Sequence, residues 1–133
     1  MKVVVDTNVL VSGVFFGGMP SRVLEAWRDR KIDVVVSPDI LEEYRRVGEH
    51  LEAQVTDVSL APFLALLVMN AEIVEPPDLP EKVSRDSDDD KFIACALAGG
   101  CQIIISGDKD LLSISGYKGV KVVAPREFLE FVL

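Results

Sequence analysis

Five short runs rich in β-branched residues alternate along this chain with stretches whose apolar residues recur at helical spacing. The runs fall at residues 2–5, 33–37, 71–74, 101–106 and 120–124, and the helical stretches at roughly 20–30, 38–49, 57–69, 88–98 and 125–132. A strand that is apolar along its whole length, rather than at every second residue, has to be covered on both faces. Alternation with helices then implies a mostly parallel sheet held between helical layers. The boundaries carry matching signals. Ser37-Pro38 and Ala124-Pro125 put proline where the first turn of a helix accepts it, and Gly99-Gly100 stands where a helix stop is expected. No repeat, low-complexity tract or long linker divides the 133 residues, so a single domain over 1–133 is expected, long enough to bury a proper core.

Composition excludes several chemistries. The chain is 49% hydrophobic and 27% charged, the profile of a soluble globular protein. Its longest uncharged run, residues 58–71, contains Pro62 and Asn70 and is too short to cross a bilayer, so no membrane partner is expected. Three valines between Lys2 and Asp6 do not make a signal peptide, which makes a cytoplasmic location the expectation. Cys95 and Cys101 cannot build a four-thiolate zinc site and read as buried fillers. A single histidine, His50, argues against histidine-built metal sites and against Ser-His-Asp catalysis. With 22 acids against 14 bases the net charge is −8. Phosphate binding normally needs a basic footprint, so a nucleic-acid partner requires another source of positive charge.

The acids supply one. KVVVDTNVLV, residues 2–11, sets Asp6, Thr7 and Asn8 at the carboxyl end of the first strand, the edge at which parallel sheets bind ligands, near the switch in strand order. In SPDILEEYRRV, Ile40, Glu43, Tyr44 and Val47 share one helical stripe, so Glu43 lies on or beside a core-facing surface while Glu42 projects away. An acid there needs partners, a metal or a route to solvent. Residues 86–90, DSDDD, hold four aspartates. Capping of the following helix accounts for one or two of them. Asp90 precedes Ile93 by three and Leu97 by seven and so shares their face; the spacing of Asp89 also leaves it a candidate. CQIIISGDKDLL then places Asp108 and Asp110 just after another strand. Carboxylates clustered without bases repel and raise one another's pKa values. A hard divalent cation resolves this, since Mg²⁺ and Mn²⁺ prefer oxygen ligands. Such a cation also polarises phosphoryl oxygens. The acids therefore point to metal-dependent phosphoryl transfer that needs no histidine.

Taken in order, VVVDTNVLVSG, SPDILEEY, DSDDDKFIACALAGG, IISGDKDLL and VVAPREFLEFVL resemble the PIN-domain family, and in particular the VapC-like ribonuclease toxins of prokaryotic toxin–antitoxin systems. The resemblance implies a three-layer α/β/α sandwich with a five-stranded parallel sheet and Mg²⁺- or Mn²⁺-dependent cleavage of RNA. The family's acidic quartet falls on Asp6, Glu43, Asp90 and Asp108. By the same resemblance Asp6, Asp90 and Asp108 provide most of the metal coordination, directly or through water, while Glu43 completes the cluster or orients a water. Asn8 and Ser106 match polar positions that support the site, and Asp110 an additional acid. Ser106 stands where the family usually has threonine and keeps the hydroxyl. An antitoxin partner and a homodimer are further implications. Arg22 and Arg45 are candidate phosphate contacts, against the ordinary role of solvated surface charges. Two rivals remain: an inert PIN-like RNA-binding or interaction module, and an aspartyl-phosphate phosphatase or receiver-like domain. The phosphatase needs an aspartate where this chain has Asn8, and a receiver's acceptor position is poorly met by Glu75-Pro76-Pro77-Asp78.

Overall fold

The computed structural model describes residues 1–54 and 57–133. Five parallel strands, β1 (Lys2–Val5), β2 (Asp33–Val36), β3 (Glu72–Ile73), β4 (Ile103–Ile105) and β5 (Lys121–Val123), form one sheet in the order β3-β2-β1-β4-β5. Helices α1 (Thr7–Phe15), α2 (Gly18–Arg28), α3 (Pro38–Glu52), α4 (Ala61–Asn70), α5 (Asp90–Gly99), α6 (Lys109–Leu112) and α7 (Pro125–Glu127) complete an α/β/α sandwich of the PIN-like class. The order steps outward from β1 to β3, then returns to β4 and β5 on the other side. The switch in winding direction therefore lies between β1 and β4, where open α/β sheets form their binding crevice.

The valines and isoleucines of the three central strands make the centre of the core. Val3, Val4, Val5, Val35, Val36, Ile104 and Ile105 are fully buried, each removal from water stabilising the fold by about 1.5–3 kcal/mol. α5 packs across β1, β2 and β4, and Phe92, Ile93, Ala94, Cys95 and Ala96 are all buried. Its end is set by two glycines. A Cβ on Gly99 would lie 2.7 Å from Val35 Cγ1, and Gly100 takes φ 68° to cap the helix. Both cysteines are buried free thiols.

Several boundaries differ from the periodicity reading. Residues 7–15 form α1, which helical spacing leaves unassigned: Thr7, Val9, Leu10, Val11 and Phe15 are all buried, so no single apolar stripe marks the helix. The stretch at 57–69 becomes a helix only at Ala61, with Pro62 in its first turn. The stretch at 88–98 begins as a 3₁₀ turn at Ser87–Asp89 before α5 starts. The closing helix passes from α7 into a π-helical turn at Phe128–Val132.

Candidate active site

Val5 at the end of β1 pairs with Ile105 at the end of β4, so the next residues, Asp6 and Ser106, stand side by side at the switch. The Asp6 N–H donates to the Ile105 carbonyl at 3.0 Å, and the Ser106 Oγ–H donates to Asp6 Oδ2 at 2.6 Å. Asp6 occupies the N-cap of α1, yet its side chain caps nothing. An aspartate there ordinarily spends its carboxylate on the helix N–H groups. Here the carboxylate is kept for the sheet edge, although only 6% of the residue is exposed. Burial pushes the Asp6 carboxyl above its ordinary pKa. The Ser106 hydroxyl and the Thr7 backbone oppose that rise, and the charges of Asp108 and Glu43 add to it. Ser106 Oγ in turn accepts the Asp108 N–H at 3.0 Å, so one buried hydroxyl ties two acids together.

Asp108 begins α6 and accepts the Leu111 N–H on Oδ2 at 3.1 Å. That is an ordinary helix cap, but it occupies part of the carboxylate only. Carboxylate oxygens of Asp89, Asp108 and Asp110, one from each residue, lie within 4.8 Å of one another. Among the described residues none of the three is ion-paired to a lysine or arginine. Asp89 shares a hydrogen bond with Asp108, and its pKa is pushed up to about 7, first by burial, then by the bond to Asp108 and that residue's charge, with Asp86 and Asp6 adding. A proton held between carboxylates is what like charges adopt when no cation separates them. Three oxygens on facing acids also match the donor set a hard divalent cation prefers.

The remaining sequence candidates are held differently. Asp90, the first residue of α5, accepts the Val83 N–H on Oδ2 at 3.0 Å and the Ser84 N–H on Oδ1 at 2.7 Å, pinning the loop that precedes the acid run. Asp86 caps the 3₁₀ turn by accepting the Asp88 N–H, so capping does account for one of the four aspartates. Glu43 on α3 accepts from Thr7 Oγ1 on one oxygen, and its other oxygen lies 2.6 Å from Lys91 Nζ. Its neighbour Tyr44 is completely buried and donates its hydroxyl to the Val5 carbonyl, which anchors α3 against the end of β1. Asn8 is exposed and lines a cleft of 530 Å³ together with Asp6, Ser12, Asp108, Lys109 and Pro125. Arg45 is held on its own helix by Glu42 and Glu49, and Arg22 is exposed and contacts Met19.

Thr7 and Lys91 are the residues that reading the chain missed. A polar hydroxyl between Asp6 and Asn8 was a visible signal for the first. For the second the signal was a cation placed where the helix dipole favours anions.

A family model for the PIN domain matches residues 2–110. The span runs from β1 through Asp110 and takes in every acid described above. Comparison with curated proteins gives no match. PIN domains are generally nucleases and typically use divalent metals, in keeping with facing carboxylates at a sheet switch point. The chain belongs to the PIN-domain family.

Proposed function

We propose that the protein is a Mg²⁺- or Mn²⁺-dependent ribonuclease and the toxin component of a toxin–antitoxin pair. The observation that carries the nuclease reading is the set Asp89, Asp108 and Asp110, whose oxygens lie within 4.8 Å of one another beside buried Asp6. Asp108 with Asp89 and Asp110 would hold the cation. Asp6 adds negative charge from the end of β1, and Ser106 orients Asp6 and Asp108 together. Asp90 braces the preceding loop, and Glu43 acts through its hydrogen bonds rather than at the cation. When bound, the cation supplies Lewis-acid polarisation of a phosphoryl oxygen and lowers the pKa of a water. It also supplies the local positive charge that a chain of net charge −8 needs in order to accept a phosphodiester. The cleft along Asn8, Ser12 and Lys109 offers hydrogen-bonding groups and one lysine to the neighbouring nucleotides.

The aspartyl-phosphate alternative loses support from the strand order. A receiver's acceptor follows a strand adjacent to β1, whereas β3 lies at the sheet edge beyond β2. An antitoxin and a homodimer are part of the proposal, drawn from the resemblance to VapC-like toxins. A basic segment from the antitoxin would satisfy the facing carboxylates as a cation does. Among the described residues no helix is long and apolar enough to cross a membrane; a cytoplasmic site of action is part of the proposal.

Incubation of labelled RNA with wild type and Asp6→Asn, in Mg²⁺, in Mn²⁺ and in EDTA, tests the reading. Cleavage that needs metal and disappears in the variant is the expected result. Equal cleavage by both proteins means a contaminating nuclease. Absence of cleavage across several RNAs, with metal bound, means an inert module.

A further inference from the structure

Lys91 is the second residue of α5 and directly follows the acid run. A cation in the first turn of a helix faces the positive end of the dipole, where acids are favoured, so its place demands a compensating partner. That partner is Glu43, on a different helix and 48 residues away in sequence. Lys91 Nζ lies 2.6 Å from Glu43 Oε1, and the two side chains are only 20% and 15% exposed. Arg46 approaches the same oxygen at 3.8 Å but is 66% exposed, so water screens it far more strongly. The other Glu43 oxygen accepts from Thr7 Oγ1. Both oxygens of Glu43 are thus engaged by donors of the protein, and a line of bonds runs from Lys91 through Glu43 to Thr7. Next to Thr7 stands Asp6, which Ser106 joins to the Asp108 backbone.

We propose that Lys91 is a positioning residue: it cancels the charge of Glu43, keeps that carboxylate out of the cation-binding set, and holds, through Glu43 and Thr7, the turn that carries Asp6. The assignment rests on the reading of the site as a divalent-cation centre and makes it more specific, because it divides the acids into those that meet the cation and one that does not. Removing only the lysine would leave a mostly buried, uncompensated carboxylate beside the cluster, and that charge would draw the cation more strongly. Removing the charges of both partners would leave the cation's own ligands unchanged.

Calorimetric titration with Mn²⁺ at fixed pH and ionic strength distinguishes the possibilities, using wild type, Lys91→Met, Lys91→Arg and the double variant Glu43→Gln/Lys91→Met. Melting curves in EDTA verify that each is folded. For Lys91→Met the Mn²⁺ Kd is expected to fall by roughly threefold to tenfold, as one nearby, partly screened negative charge is unmasked. Lys91→Arg keeps the wild-type Kd. The double variant binds within about twofold of wild type, because the two charge changes offset each other. A Kd that rises about tenfold or more in the double variant overturns the proposal, since Glu43 would then be a ligand. If Lys91→Met does not fold, the double variant still decides. Failure of wild type itself to bind Mn²⁺ would instead remove the cation centre on which the assignment rests.

Discussion

At the carboxyl edge of the sheet, two groups of acids are held in different ways. Asp6, Glu43 and Asp90 are each supplied with donors: a serine hydroxyl for the first, a threonine hydroxyl and a lysine for the second, two backbone N–H groups for the third. Asp89, Asp108 and Asp110 turn carboxylate oxygens toward one another, with a donor each, among the described residues, only for Asp89, from Ser84 Oγ, and for Asp108, from the Leu111 N–H. Burial, then Asp108, pushes the Asp89 pKa up to about 7. The first group is held in place by these donors, although burial and the charges of Asp108 and Glu43 still raise the Asp6 carboxyl. The second is a strained arrangement that a divalent cation would relieve. The charge of Asp108 raises the proton affinity of Asp89, an arrangement unfavourable for folding, so its presence at the switch point of a PIN domain points to a ligand that compensates it.

The largest expected effect comes from Asp108, which both faces the other two acids and caps α6. Asp108→Asn keeps an oxygen to accept the Leu111 N–H but loses the charge. RNA cleavage should fall by about 10²–10⁴-fold, the scale of several kcal/mol of lost electrostatic stabilisation, with the melting temperature in EDTA unchanged or raised.

Adjacent Asp89 and Asp90 then test whether the division is real. Asp89→Asn should weaken Mn²⁺ binding by roughly 10–100-fold, the range seen when a metal site loses supporting interactions, without loss of stability. Asp90→Asn leaves one of the Val83 and Ser84 N–H groups without its acceptor. It should cost about 1–3 kcal/mol of stability, read as a lower urea midpoint, with a smaller effect on Mn²⁺ affinity. Reversal of these two outcomes would move the cation to Asp90.

The smallest effect is in the pH dependence of stability without metal. The Asp89 pKa rises from an ordinary 3.8 to about 7 in the folded state. Between those values the folded state holds a proton that the unfolded state has released, so stability must fall as pH rises through that window. Burial of Asp6 acts in the same direction. Thermal melts in EDTA should therefore decline from about pH 4 to pH 7 more steeply for wild type than for Asp89→Asn, and Mg²⁺ should restore the loss at the upper end.

Much of this architecture was legible before any coordinates, because it follows from local pattern. The valine and isoleucine runs mark the strands. A parallel sheet then brings Asp6, Ser106 and Asp108 to one edge, since Asp6 and Ser106 follow β1 and β4 directly and Asp108 comes two residues later. What the pattern could not carry was tertiary pairing and local helix type. Thr7–Glu43 and Lys91–Glu43 join residues 36 and 48 positions apart, and no periodicity encodes them. Helical spacing left both Asp89 and Asp90 open, and the resemblance put the third acid on Asp90. Ser87–Asp89 forms a 3₁₀ turn, which rotates side chains by a different angle per residue than an α-helix, and Asp89 sets a carboxylate oxygen within 4.8 Å of those of Asp108 and Asp110. Helix α1 is hard to read for a different reason: it is buried on so many sides that no single apolar stripe marks it.

The claim that the facing acids form a divalent-cation centre is tested most directly by Mn²⁺ titration calorimetry on wild type and Asp108→Asn at pH 7.5. Saturable binding by wild type that is lost in the variant is the predicted result. Binding of equal strength by both proteins, or no binding by wild type, would contradict the account.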